Sequence, residues 1–192
     1  MSDKNKNISD DGLLWDNFLS GNKDAYNLIY EKYSKRLLVQ GLQFTPDRDL
    51  VKDAVHDVFV NIYRNRAKLG TVGNIKVYLF IALRNSIITS LKKRGQCFDR
   101  LGEMPEDFTV GSDSIEEEYI SKEYKIEKQR LVSKILSLLP VRQREVVHYR
   151  FFESMSIDEI SELMNMNYQS VQNLLQRSLK KINEYLKIHQ KK

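Results

Sequence analysis

Gln172, Asn173, Gln176, Arg177 and Lys180 form the most chemically suggestive set in this 192-residue chain. Their spacing places them on one side of a helix, with Val171, Leu174, Leu175, Leu179 and Ile182 on the other. Gln and Asn amides and the Arg guanidinium match base-edge donors and acceptors in the DNA major groove. Ser170, near the helix start, is placed for a phosphate contact. Such a face needs an element that holds it out. Ser156-Ile157-Asp158-Glu159 supplies one, because it reads as a capping box opening a helix that carries Ile160, Leu163 and Met164 inward. Asn165-Met166-Asn167 then interrupts the pattern: Asn tolerates the left-handed backbone of a tight turn, and Asn167 can cap the next helix. Together these features predict a helix-turn-helix followed by a basic helix, directed at DNA.

Composition favours helices. Apolar residues make up 41% and charged residues 30%, with only 8 Gly and 3 Pro, and alternating apolar and polar runs are scarce. The expected fold class is all-α. The single cysteine, Cys97, excludes an internal disulfide framework and a Cys-rich zinc site. The absence of a long apolar run or a signal-peptide layout leads to an expectation of a cytoplasmic protein with no membrane insertion. The net charge of +5 is unevenly spread. Residues 1–98 carry sixteen basic against ten acidic side chains, 99–118 one against eight, and 119–192 fourteen against eight. Two basic blocks suit a polyanion, whereas the acidic strip between them would be repelled by one.

Apolar spacing predicts a short helix over Asp10–Leu19 and a longer one over Lys23–Phe44. Thr45-Pro46-Asp47 reads as a restart, with Thr as cap, Pro first and Asp in the first turn, opening a helix to Ala67. A fourth helix spans Asn74–Arg94 and ends in Lys92-Lys93-Arg94. Residues 95–118 lose periodicity. Helix is expected again from Glu117 to Leu139, broken by Pro140, and then from Val141 to Phe152. The expected organisation is a loose 1–9, a helical bundle over 10–95, an acidic linker over 96–118 and a helix-turn-helix domain over 119–192.

Short motifs in both halves resemble a known family. Asp53-Ala54-Val55-His56-Asp57-Val58-Phe59 resembles the D-x-x-Q-x-x-F signature of sigma factor region 2, and Tyr78-Leu79-Phe80-Ile81-Ala82-Leu83-Arg84-Asn85 resembles the segment that comes after it. Leu139 to Val147 and Glu159-Ile160-Ser161-Glu162 resemble the opening of region 4. In order and spacing the four resemble a bacterial sigma-70 factor of the small extracytoplasmic-function (ECF) type.

The resemblance implies a promoter-specificity subunit that binds core RNA polymerase and promoter DNA, with an anti-sigma factor as a possible inhibitor. Asp53, His56 and Asp57 would dock on a coiled coil of the largest polymerase subunit, His56 standing where relatives have Gln. Tyr78, Arg84, Asn85, Lys92, Lys93 and Arg94 would meet the -10 element, where unpaired bases gain by stacking on aromatic groups. Tyr78 stands where relatives have Trp. At helical spacing, Tyr78 and Phe80 read more readily as core, and the Arg, Asn and Lys residues as DNA-facing. Ser170, Gln172, Asn173, Gln176, Arg177 and Lys180 would meet the -35 element. Asn165 replaces the usual turn Gly, and Ser161 an Ala. Leu174 and Gln172 stand where many relatives carry Arg and Lys, so readout should lean on the amides and Arg177.

The competing reading is a stand-alone, two-domain helix-turn-helix regulator. An enzyme is not expected: there is no Gly-rich phosphate loop, no paired carboxylates in a basic cleft and no nucleophile–base set. The three His are scattered, so neither a metal site nor a cofactor is expected.

Overall fold

The structure, a computed structural model, describes residues 3–95 and 131–189. Among these residues every regular element is a helix. The chain divides into two compact units, one of residues 1–42 and 47–95 and the other of 43–46 and 96–192. The acidic strip 99–118, and most of the helix expected over 117–139, lie outside the described residues.

The first unit contains α1 (Asp3–Leu19), α2 (Lys23–Leu42), α3 (Arg48–Asn65), a 3-10 turn (Arg66–Lys68) and α4 (Ile75–Lys93). Helix α1 starts at Asp3, so most of the stretch expected to be loose is helical. Lengthening an existing helix adds one hydrogen bond per residue fixed, so a helix can extend beyond the stretch that an apolar pattern marks. Gly21, at φ +98, makes the left-handed turn into α2. Helix α3 begins three residues after Thr45. Its cap is Asp47, whose Oδ1 accepts from the Leu50 N–H at 2.9 Å, so Pro46 stands before the helix and not inside it. Asn74 caps α4 by accepting from Val77 N–H. The four helices bury a core of Trp15, Phe18, Ile29, Tyr33, Leu37, Leu50, Val51, Val58, Phe59, Ile75, Leu79, Phe80, Leu83, Ile87 and Leu91.

Asp47 also joins two helix ends, since its Oδ2 accepts from Arg94, the C-cap of α4, at 2.6 Å. The Leu50 backbone hydrogen bond, helped by Arg94, holds its carboxyl below the usual Asp range. A lowered carboxyl pKa contributes stability that is complete above about pH 4 and is lost as pH falls through the folded-state value. Asp47→Asn keeps the cap but loses the charge. In denaturant titrations its deficit against the wild type is expected at neutral pH, and should shrink as pH falls below about 4 and through the lowered folded-state value. A deficit independent of pH would remove the ion pair from the account.

The second unit has helical residues 131–137 (α5), α6 (Val141–Val147), a wider π turn (His148–Phe152), α7 (Ile157–Met164) and α8 (Tyr168–His189). The regular helix expected over Val141–Phe152 is therefore interrupted. Glu153 N–H reaches back to His148 O, and Met155 N–H to Tyr149 O. The widened turn buries His148 and Tyr149 while leaving Phe151 and Phe152 outside, and His148 stacks on Phe152 with ring centroids 5.1 Å apart. Leu136, Leu139, Val146, Val147, Met155, Ile160, Leu163, Met164 and Val171 form the core. No described helix is long and apolar enough to cross a membrane.

Candidate nucleic-acid interface

The turn that aims α8 is built by local chemistry. Ser156 Oγ accepts from Glu159 N–H at 3.1 Å, and Glu159 Oε2 accepts from Ser156 N–H at 2.7 Å, which completes the capping box. Asn165 ends α7 in the left-handed region at φ 51, ψ 52. Asn167 Oδ1 then accepts from Ser170 N–H at 2.7 Å, holding the first turn of α8. Ser161 Oγ donates to Ile157 O within α7.

Helix α8 buries Val171 and Ser178, with Leu174, Leu175, Leu179 and Ile182 half-buried or more open beside them. The Ser178 hydroxyl donates to Leu174 O at 2.7 Å, so a polar residue fills a buried position without an orphaned group. Gln176 and Arg177 are exposed on the far side, and Ser170, Gln172, Asn173 and Lys180 lie along the same helix. By helical periodicity the set occupies the face away from Val171. Two of the amides are engaged along the helix. Gln172 Nε2 donates to Tyr168 Oη at 3.3 Å, and Gln169 Nε2 donates to Asn173 Oδ1 at 3.2 Å. Sequence reasoning misses Tyr168 and Gln169, although each stands four residues before its partner, the spacing at which helix side chains meet.

In the first unit, Tyr78, Asn85 and Lys92 recur at intervals of seven and share one side of α4. Tyr78 is half-buried, its ring edge-on to Trp15 at 5.4 Å. Burial raises its phenol pKa above the usual tyrosine value. Lys92, Lys93 and Arg94 are exposed, Arg94 being paired with Asp47. Phe80 is core, at 0% exposure. Arg84 departs from its expected outward position. It is only 8% exposed, because it sits one turn from Phe80 and Ile87 on the buried side of α4. The structure therefore separates Arg84 from the outward stripe. The loop preceding α4 is tied down by Trp15, whose Nε1–H donates to Gly70 O at 3.0 Å.

On α3, Asp53, His56 and Asp57 are all exposed and, at spacings of three and four, share a face. Among the described residues no cluster of three or more His, Cys, Asp or Glu is arranged to hold a metal ion.

Comparison with known proteins places both units. Residues 29–96 match the family model "Sigma-70 region 2", and residues 129–182 match "Sigma-70, region 4". The ECF RNA polymerase sigma-E factor of Haemophilus influenzae is 23% identical over 176 residues, covering 88% of this chain and 90% of that protein. RNA polymerase sigma factor SigZ of Bacillus subtilis is 25% identical over 140 residues, 73% of this chain and 74% of its own length. In fold the chain is similar to CnrH, solved in complex with the cytosolic domain of CnrY (TM-score 0.62, 18% identity, 93% of this chain and 97% of that one). It is also similar to the sigma factor RpoE of Bartonella quintana, solved with the anti-sigma factor NepR (TM-score 0.61, 16% identity, 85% and 97%).

The chain belongs to the sigma-70 family and is of the ECF type. It is thus a transcription-initiation factor whose region 4 is a DNA-binding helix-turn-helix.

Proposed function

We propose that the protein binds core RNA polymerase and directs it to promoters through two DNA-reading surfaces. Asp53, His56 and Asp57 on α3 dock on the polymerase. Tyr78, Asn85 and Lys92 on α4, with Lys93 and Arg94 at its end, meet the opened -10 element. Arg84 keeps at most a supporting role there, since it lies inside the bundle. Ser170, Gln172, Asn173, Gln176, Arg177 and Lys180 on α8 meet the -35 element. We further propose residues 10–95 and 119–192 as the two working domains, with 96–118 joining them, and cytoplasmic action beside the polymerase. The observation that carries this reading is the order of the two family matches, region 2 before region 4 in one chain. Because the similar RpoE was solved with an anti-sigma factor, a partner of that kind is proposed here as well.

Run-off transcription with core polymerase and a promoter library tests the proposal. Sequence-selective transcripts that require the protein are expected. Tight, selective duplex binding by the isolated chain, with no transcripts gained on adding polymerase, would instead indicate a stand-alone regulator.

Lys92 and Lys93 supply a quantitative check. Each phosphate contact adds a counterion term to binding, so Lys92→Ala with Lys93→Ala is expected to flatten the salt dependence of polymerase–promoter binding by about 1.4 to 1.8 in log–log slope. Affinity should fall to a similar extent across promoters. A change of promoter choice at constant affinity would show that these lysines read sequence.

A further inference from the structure

We infer that Tyr168 is a positioning residue that sets which base Gln172 accepts, an inference that rests on α8 reading the -35 element. A Gln side chain ends in an amide that can turn over, exchanging its oxygen for its nitrogen. On its own it presents either a donor or an acceptor to a base edge. Gln172 loses that freedom once a phosphate oxygen takes the Tyr168 hydroxyl hydrogen, because the hydroxyl, which can otherwise donate or accept, is then left only to accept. One of its Nε2 hydrogens is directed to Tyr168 Oη, one turn earlier on α8, at 3.3 Å. The remaining groups are Oε1, which accepts, and the second Nε2 hydrogen, which donates. That pair complements adenine, which offers the N6 amino group and the N7 acceptor in the major groove. It opposes guanine, whose O6 and N7 both accept, so that Oε1 would face another acceptor oxygen.

Tyr168 suits this task. It is the first residue of α8 and 47% exposed, so its ring stands beside the outward face and is not locked in the core. Its hydroxyl accepts from Gln172 and still has a hydrogen to give to a phosphate oxygen. Backbone contact and base choice would then be coupled through one oxygen.

The test uses the full-length protein with core polymerase on a promoter library randomised through the -35 element. For the wild type, one position should favour adenine over guanine, and Gln172→Ala should erase that preference. Tyr168→Phe keeps the ring and removes only the hydroxyl. It is expected to reduce the preference at that same position by about tenfold, with the other positions unchanged. Adding Gln172→Glu to Tyr168→Phe should restore discrimination against guanine, because a carboxylate presents acceptors in either orientation, although overall yield falls. An unchanged preference in Tyr168→Phe overturns the positioning role while leaving Gln172 as a reader. A uniform loss at every position also overturns it, leaving Tyr168 only a phosphate contact or a structural part. If Gln172→Ala changes no position, readout by Gln172 fails and the inference fails with it.

Discussion

Trp15→Ala is expected to destabilise the first unit by about 3–5 kcal/mol, the largest single effect anticipated in this protein. The side chain is 1% exposed and packs against Phe18 and Tyr78, with ring centroids at 5.1 and 5.4 Å. Its removal opens a cavity among rigid neighbours, and the transfer and cavity costs add. The Nε1–H bond to Gly70 O also disappears. Trp15→Phe separates the two effects. It retains most of the apolar contact and loses the tether, which contributes about 1 kcal/mol. Denaturant midpoints should rank wild type, Phe and Ala in that order, and amide exchange in residues 69–74 should quicken even in the Phe variant. An Ala variant within about 1 kcal/mol of wild type would mean that Trp15 is not part of the core in solution. The consequence reaches the side of α4 proposed to meet DNA, because Tyr78 rests on the same indole.

Gly41→Ala is expected to destabilise despite improving helix propensity. The substitution gains about 1 kcal/mol within α2. A Cβ there would lie 2.4 Å from Val51 Cγ1 and 3.3 Å from Ile87 Cδ1. Val51 is fully buried and branched at its β-carbon, so it cannot swing aside. Overpacking of this kind costs about 1–3 kcal/mol and exceeds the gain. The cause is checked with a double-mutant cycle. Val51→Ala alone leaves a void, but combined with Gly41→Ala it should cost less than the two single changes added together, by about 0.5 kcal/mol or more. A stabilised Gly41→Ala, or strict additivity, would remove close approach of α2 and α3 as the reason for glycine.

The helical class and the two-unit division are legible in the sequence because they depend on short-range chemistry. The apolar spacing of α2, α3 and α4, the Ser156–Glu159 box and the Asn165 turn each act within a few residues. The cap of α3 lies two residues beyond its expected place because Thr45, Pro46 and Asp47 are all good starting residues. Only the hydrogen bond to Leu50 separates them. Arg84 misleads for a different reason. A long cationic side chain reads as outward in sequence, yet its aliphatic stem can lie against a core. The Trp15–Gly70 and Asp47–Arg94 contacts join residues 55 and 47 positions apart, so no local pattern announces them. The α8 candidates do fall on one outward face, but the ties from Tyr168 and Gln169 need side chains placed in space.

The widened turn at His148–Phe152 has a geometric corollary. An α-helix advances about 100° around its axis per residue, so a turn that takes in one residue more acts as a phase shifter between α6 and the point where the chain leaves the helix. Deleting a single residue there would return the segment to regular winding and move the point where the chain leaves it by roughly that angle around the axis. The compass heading on which the chain departs towards Ser154 is thus indexed by the number of residues in this segment, more than by their identity.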